Sequence, residues 1–376
     1  MLIFALHYSP NPADAEEPPI SILMEFLISC KTDFYVLYHP LGGIGFTWLE
    51  EYRAGIQYSK TKVKSIHSPE FARYVSDVTV GTLAILWRCR KRGAYFIGAD
   101  PLNAVIGLML RALRAVEKTV YYSIDYAPER FSNPLLNWCY HYLDRLCMRK
   151  SDYVWSVSIR IVDLRRKMGL PDSRNLYLPN VPDATTVNKY LNQPKDIFRI
   201  ITLGSLDDQQ HYMELVDAVS KVRMEFPKAT LTIVGTGRDS DNFREHVKKH
   251  HLEEFIHFTG HLGHEEAMDL ISRSGVGCAL YTGKLSFNYF GDSVKCREYL
   301  AFGLPVLTSD THATALDIKT YDAGVICEST STGYLVGIKQ ILREYARYAE
   351  NARMLGSMYD GIRETALRQL VGEYFA

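Results

Sequence analysis

Twice along this chain, short runs of β-branched and aromatic residues alternate with amphipathic runs of about 10 to 15 residues. Such alternation builds parallel strands joined by crossover helices, because a parallel pair cannot be closed by a tight turn. In the first half the predicted strands are Leu2–Leu6, Phe34–Tyr38, Tyr95–Gly98, Val120–Ile124 and Tyr153–Ser156. The helices between them are Ile20–Cys30, Leu102–Val116 and Leu135–Arg149. In the second half strands are predicted at Arg199–Leu203, Thr230–Val234, Ile256–Phe258, Val276–Leu280 and Val306–Thr308. Helices there are Met213–Glu225, Asn242–His250, Glu265–Ser272 and Val294–Phe302, and Gly333–Ala376 is helical by periodicity.

Between the halves, Leu178-Pro179-Asn180-Val181-Pro182-Asp183 leads into a polar stretch that ends at Pro194-Lys195, the composition of a linker. A length of 376 residues suits two domains. The expectation is an α/β chain of two Rossmann-like domains, residues 1–180 and 197–358, joined by 181–196 and separated by an interdomain cleft. A last helix, 359–376, is expected to pack back on the N-terminal domain. Ligands of such sheets lie beyond the carboxyl ends of the strands, so chemistry is sought in residues that just follow strands.

Composition removes several alternatives. No run reaches the roughly 20 apolar residues of a bilayer span; Leu102–Val116 is broken by Arg111 and Arg114. No basic region precedes Leu2–Leu6, so no signal peptide is predicted. Seven cysteines without a CxxC pair read as free thiols of a cytoplasmic protein. The formal charge is zero, yet residues 1–180 carry 22 Lys and Arg against 17 Asp and Glu. The patch Trp87-Arg88-Cys89-Arg90-Lys91-Arg92 reads either as a solvated helix end or as a surface for an anionic membrane or a phosphate-bearing acceptor. No nucleic-acid recognition motif accompanies the charge. Asp239-Ser240-Asp241 reads as a helix cap rather than a metal clamp, and no His or Cys group has zinc spacing, so no metal is expected.

The segment Tyr289-Phe290-Gly291-Asp292-Ser293-Val294-Lys295-Cys296-Arg297-Glu298-Tyr299-Leu300-Ala301-Phe302-Gly303-Leu304-Pro305 carries the most chemistry. Gly291 permits a tight turn, and Asp292 or Ser293 can cap the helix that follows. First-turn N–H groups suit a phosphate, and Lys295 adds a full charge. A carboxylate at Glu298 can accept from both hydroxyls of a ribose.

The pattern Ser-x-Lys-x-x-Glu-Tyr-x-Ala-x-Gly-x-Pro-Val, met from Ser293 to Val306, resembles the donor-binding helix of glycosyltransferase family four. Upstream, Ile233-Val234-Gly235-Thr236-Gly237, Phe258-Thr259-Gly260-His261 and Asn180-Val181-Pro182-Asp183 resemble further segments of that family. The resemblance implies the GT-B fold and transfer from a nucleotide-diphosphate sugar, UDP- or GDP-linked, with retention at the anomeric carbon. It implies donor contacts at Glu298, Lys295, Ser293, Val294, Asp292, Gly291, Tyr289, Gly204, Ser205, Gly235, Gly260 and His261, and no required cofactor. A glycan or lipid-linked acceptor, polysaccharide biosynthesis and a peripheral place at the inner membrane face are the matching expectations.

The chain departs from that family where Ser205 stands for the usual Arg and Gln210 or His211 for the usual Lys, the two cations that clamp a diphosphate. Phe290 stands for a usual Glu, and Tyr8-Ser9-Pro10-Asn11-Pro12 for a Gly-Gly turn; Gly42-Gly43-Ile44-Gly45 reads as a plain turn or as a displaced version of that loop. Lys295 with the helix terminus, Arg130 as a second cation, or loss of activity would each account for the missing clamp. Asn11 is a further candidate contact to phosphate or acceptor. On the N-terminal side Asp125 follows the strand Val120–Ile124 and Asp100 follows Tyr95–Gly98. Either could bind a sugar hydroxyl or act as a base, or merely cap a helix. His7 closes the first strand and reads either as a packed loop histidine or as a residue facing the cleft, while Asp144, Arg145 and Trp155 read as packing residues. The alternatives to a transferase are a sugar-nucleotide epimerase, a phosphorylase, and a non-catalytic GT-B subunit.

Overall fold

The computed structural model describes residues 1–8, 21–40, 45–63, 70–88, 93–182, 184–206, 211–281 and 287–375. The chain divides into two compact units, Met1–Leu178 with Glu364–Ala376, and Pro179–Arg363.

In the first unit the order is β1 (Leu2–Tyr8), α1 (Ser21–Ser29), β2 (Phe34–Pro40), β3 (Thr47–Arg53), β4 (Ile56–Val63), α2 (Glu70–Arg88), β5 (Tyr95–Ala99), α3 (Asp100–Ala112), β6 (Lys118–Ser123), α4 (Pro134–Lys150), β7 (Tyr153–Ser156), α5 (Ile159–Lys167) and β8 (Asn175–Tyr177). The strands align as β4-β3-β2-β1-β5-β6-β7-β8. All pairings are parallel except those of β3 with β2 and with β4. From β1 the chain steps outward to β2, then returns to β5 on the opposite side, so the winding reverses between β1 and β5.

One layer of the core holds Ile3, Ala5, Leu37, Phe96, Ile106 and Leu110. Gly98 is required there, since a Cβ would stand 2.4 Å from the backbone N of Ala104. Asp144 of α4 is buried against Arg165 of α5, with contacts of 2.5 and 2.6 Å, and Tyr121 of β6 donates to the same carboxylate at 2.6 Å. These groups tie two helices to the sheet, the packing role expected of Asp144.

The second unit runs α6 (Ala184–Tyr190), β9 (Arg199–Leu203), α7 (Tyr212–Val222), β10 (Thr230–Val234), α8 (Ser240–Lys249), β11 (Ile256–Gly260), α9 (His264–Ser272), β12 (Val276–Ala279), α10 (Phe287–Phe290), α11 (Val294–Ala301), β13 (Val306–Thr308), α12 (Thr314–Thr320), β14 (Gly324–Ile326), α13 (Ser331–Arg343) and α14 (Tyr345–Phe375). Its six strands pair in parallel as β11-β10-β9-β12-β13-β14, and the winding reverses between β9 and β12.

Several elements differ from the sequence reading. The stretch read as a linker, 181–196, contains α6, whose Val187 and Tyr190 pack on the core of the second unit, with Val181 buried just before it. The helix expected over 359–376 is the end of one long helix, α14. At Asp239-Ser240-Asp241 the Ser240 hydroxyl ties the turn, both accepting from and donating to the backbone of Gly237 at 2.8 Å. No helix among the described residues is long and apolar enough to cross a membrane.

Candidate functional site

In the second unit the expected donor residues gather at the carboxyl ends of the strands. Gly204 and Ser205 follow β9, Gly235 follows β10, and Gly260 with His261 closes β11. The glycines are there for backbone approach. Gly235 has φ +129°, and a Cβ on it would stand 2.0 Å from the carbonyl oxygen of Gly204. Its N–H donates to the Gly260 carbonyl at 2.8 Å, so three post-strand loops are bound to one another through backbone alone. Gly260 has φ +77° with open space around its Cβ position; conformation, not crowding, favours glycine there.

On the other side of the β9–β12 reversal stands α11. Ser293 is its N-cap, and its Oγ accepts from the Cys296 N–H at 3.2 Å. Tyr281, which follows β12, meets the same hydroxyl through its own at 2.8 Å. Sequence reading did not single out Tyr281, although its place just past a strand was the available signal. Lys295 Nζ stands 5.5 Å from the Tyr281 ring centroid, which sets its charge beside that strand end. Glu298 lies one turn on, 8% exposed, an i,i+3 neighbour of Lys295 on the same face. Val294 is half exposed at the mouth of the helix. Tyr289 belongs to α10 and packs edge-on against Phe290, with centroids 5.0 Å apart.

Asp292, expected among the donor contacts, has its carboxylate turned inward. It pairs with Arg297 at 2.7 Å, accepts from Thr314 at 2.9 Å and from the Asn180 N–H at 2.8 Å, and is fully buried. A guanidinium in its first helical turns claims Asp292, which leaves the capping to Ser293. Gly291 serves the turn, its N–H donating to Asn288 and its carbonyl accepting from Ala313. Burial pushes the Cys296 thiol up to about 12, so the cysteine beneath the cap is no nucleophile.

The missing clamp is visible as well. Ser205 is exposed and uncharged. His211, in a left-handed conformation at the start of α7, is joined to Glu214 at 3.1 Å. Gln210 and Asn11 lie outside the described residues, as do Gly42, Gly43, Ile44 and Cys89-Arg90-Lys91-Arg92.

In the first unit Asp125 and Arg130, both expected at the site, are joined to each other at 2.5 Å beyond the end of β6. Each cancels the other's charge, so Arg130 is not an uncommitted phosphate ligand. Asp100 begins α3 and meets His7, at the end of β1, at 2.6 Å. The histidine read as a loop-packing residue is thus the partner of a predicted site residue 93 positions away. Among the described residues no group of His, Cys, Asp and Glu is arranged to hold a metal.

Residues 184–355 match the family model of group 1 glycosyl transferases. Over 224 residues the chain is 21% identical to the glycogen synthase of Mycobacterium tuberculosis, covering 57% of this chain and 51% of that protein. It therefore spans about half the length of the curated relatives it matches. Among solved structures, Anabaena HepE in complex with UDP has a TM-score of 0.66 at 13% identity, covering 99% of this chain and all of that one. WaaG, a glycosyltransferase involved in lipopolysaccharide biosynthesis, has a TM-score of 0.63 at 14% identity, with 98% of each chain covered. The fold is the GT-B fold, two Rossmann-like units.

Proposed function

We propose that the chain is a glycosyltransferase that moves a sugar from a nucleotide-diphosphate sugar to a hydroxyl of a glycan or lipid-linked acceptor. The observation that carries this is the juxtaposition at the second unit's winding reversal. There the capped N-terminus of α11, Lys295 and Glu298 share one helix beside the glycine-bound loops of β9, β10 and β11. Helix N–H groups and Lys295 suit a diphosphate; Glu298 suits the ribose diol. UDP is the base to test first, because HepE was crystallised with UDP. Ser205 removes the usual arginine, so Lys295 and the helix terminus carry the leaving group's charge without it. The resemblance to family four supports retention at the anomeric carbon. The charge excess of residues 1–180 supports an anionic or membrane-borne acceptor at the inner membrane face.

The test is release of free nucleotide from a panel of UDP-, GDP- and ADP-sugars, with and without a membrane lipid extract. Release from one sugar nucleotide, stimulated by the extract, is expected. Binding of a nucleotide sugar with no release under any condition would favour the non-catalytic subunit. No binding of any would end the donor-site reading.

A further inference from the structure

The usual arginine and lysine of a diphosphate clamp are replaced in this chain, at Ser205 and at Gln210 or His211. On the reading above, Lys295 and the N-terminus of α11 are left to meet the donor's phosphates. A lysine ammonium is a point charge on a flexible stem, and ordering that stem costs conformational entropy. We propose that Tyr281 is the positioning residue that fixes both groups, its hydroxyl on the Ser293 cap and its ring on the Lys295 ammonium. The assignment rests on the donor-site reading and concerns the second unit alone.

Tyr281 is itself held through its backbone and its ring. Its carbonyl accepts from Ser309 Oγ at 2.9 Å, and the hydroxyls of Thr311 and Ser329 approach the same oxygen at 3.4 Å. Its ring lies against the buried imidazole of His312, with centroids 4.7 Å apart. Thr308 Oγ1 gives its hydrogen to the Ala279 carbonyl at 2.6 Å, so it can only accept from His312. The imidazole hydrogen is therefore at Nε2, 2.8 Å from Thr308, and the ring that supports Tyr281 is anchored to β13.

From this support the phenol reaches α11 in two ways. Its oxygen is 2.8 Å from Ser293 Oγ, which also accepts from the Cys296 N–H at 3.2 Å, so two partners fix the capping hydroxyl. Lys295 Nζ stands 5.5 Å from the ring centroid, inside the roughly 6 Å over which an aromatic face attracts a cation. One side chain just past β12 thus touches the cap and the cation of the same helix. Tyr299 on α11 has the character of a packing tyrosine instead. It is fully buried, and its hydroxyl donates to the Cys278 carbonyl at 3.2 Å. Tyr281 is only partly buried, and its hydroxyl and ring both meet groups assigned to phosphate rather than to ribose.

Loss of Tyr281 should therefore weaken the hold on phosphate and spare the nucleoside. The experiment titrates UDP and uridine calorimetrically into the whole chain, as wild type and as Tyr281→Phe, Tyr281→Leu, Lys295→Met and the Tyr281→Leu, Lys295→Met double variant. Tyr281→Phe keeps the ring and loses one hydrogen bond, and is expected to weaken UDP about fivefold. Tyr281→Leu also loses the cation contact and is expected to weaken UDP about tenfold or more. Uridine affinity should be kept in both. On the Lys295→Met background Tyr281→Leu should cost less than it does alone, because the ring has no cation left to hold.

Equal weakening of UDP and uridine, unchanged UDP affinity in both Tyr281 variants, or full additivity with Lys295→Met would each overturn the assignment. A wild-type chain that binds no UDP would overturn the donor-site reading and this assignment with it. UDP binding by wild type with Tyr281 variants that match it would overturn the assignment alone.

Discussion

At the scale of single residues, the α11 segment sorts side chains of similar sequence appearance into different duties. Ser293 and Asp292 are both good caps on paper. What turns Asp292 inward is its set of partners: Arg297, fully buried and with its guanidinium 3.5 Å from the Tyr359 ring centroid, together with Thr314 and the Asn180 N–H. Removing Asp292 would take from the buried Arg297 guanidinium its carboxylate, a change that costs about 3 to 5 kcal/mol. Asp292→Ala should lose that much in denaturant unfolding, and a loss below about 1 kcal/mol would mean the pair is solvated. Lys295 has the opposite character, since its charge lies beside the strand end. Lys295→Met should weaken UDP about tenfold, near the 1.4 kcal/mol that such a factor represents, and leave uridine affinity alone. Equal weakening of both would mean that Lys295 does not act on phosphate. That Ser293, Lys295 and Glu298 share one helix was legible because they fall in one fourteen-residue pattern. The His7–Asp100 pair was not, because it joins residues 93 apart that share no motif.

At the scale of elements, the strands buried on both faces were read nearly to the residue. Thr230–Val234 and Val306–Thr308 coincide with β10 and β13, since a short β-branched run has no other stable use. The sequence reading missed β3, β4 and α2. Glu50 and Glu51 interrupt the apolar pattern of β3, and β4 is largely exposed, so neither shows the hydrophobic run of a core strand. The β-branched residues Val75, Val78, Thr79, Val80 and Thr82 mask the helix that tertiary packing imposes on α2. The loops of β9, β10 and β11 depend on Gly235, where any side chain would meet the Gly204 carbonyl. Gly235→Ala should cost about 2 kcal/mol or more and weaken nucleotide binding along with stability. Full nucleotide affinity in that variant would remove those loops from the donor site.

At the scale of the whole molecule, the division into two α/β units was legible from the double alternation and the proline-rich seam. The content of the seam was not, because in a polar stretch it is Val187 and Tyr190 that pack α6 on a core. Just after α6, Lys195 donates to the Phe302 carbonyl, and burial, with Arg353 nearby, lowers its pKa from 10.5 to about 8. A folded-state pKa below the unfolded one means the buried ammonium opposes folding in full below pH 8. That opposition fades as pH rises from 8 toward 10.5. Lys195→Met should therefore melt higher than wild type at pH 7, with a gap that narrows as pH is raised through that window. A gap that widens with pH would refute the sign.

The central claim is that α11 carries the donor's nucleotide. Calorimetric titration of UDP into the wild-type chain and into Glu298→Ala tests it most directly. Two charge-assisted hydrogen bonds to the ribose, at about 1.5 to 3 kcal/mol each, predict that Glu298→Ala binds at least about 100-fold more weakly. Equal affinity of the two proteins for UDP would contradict the account.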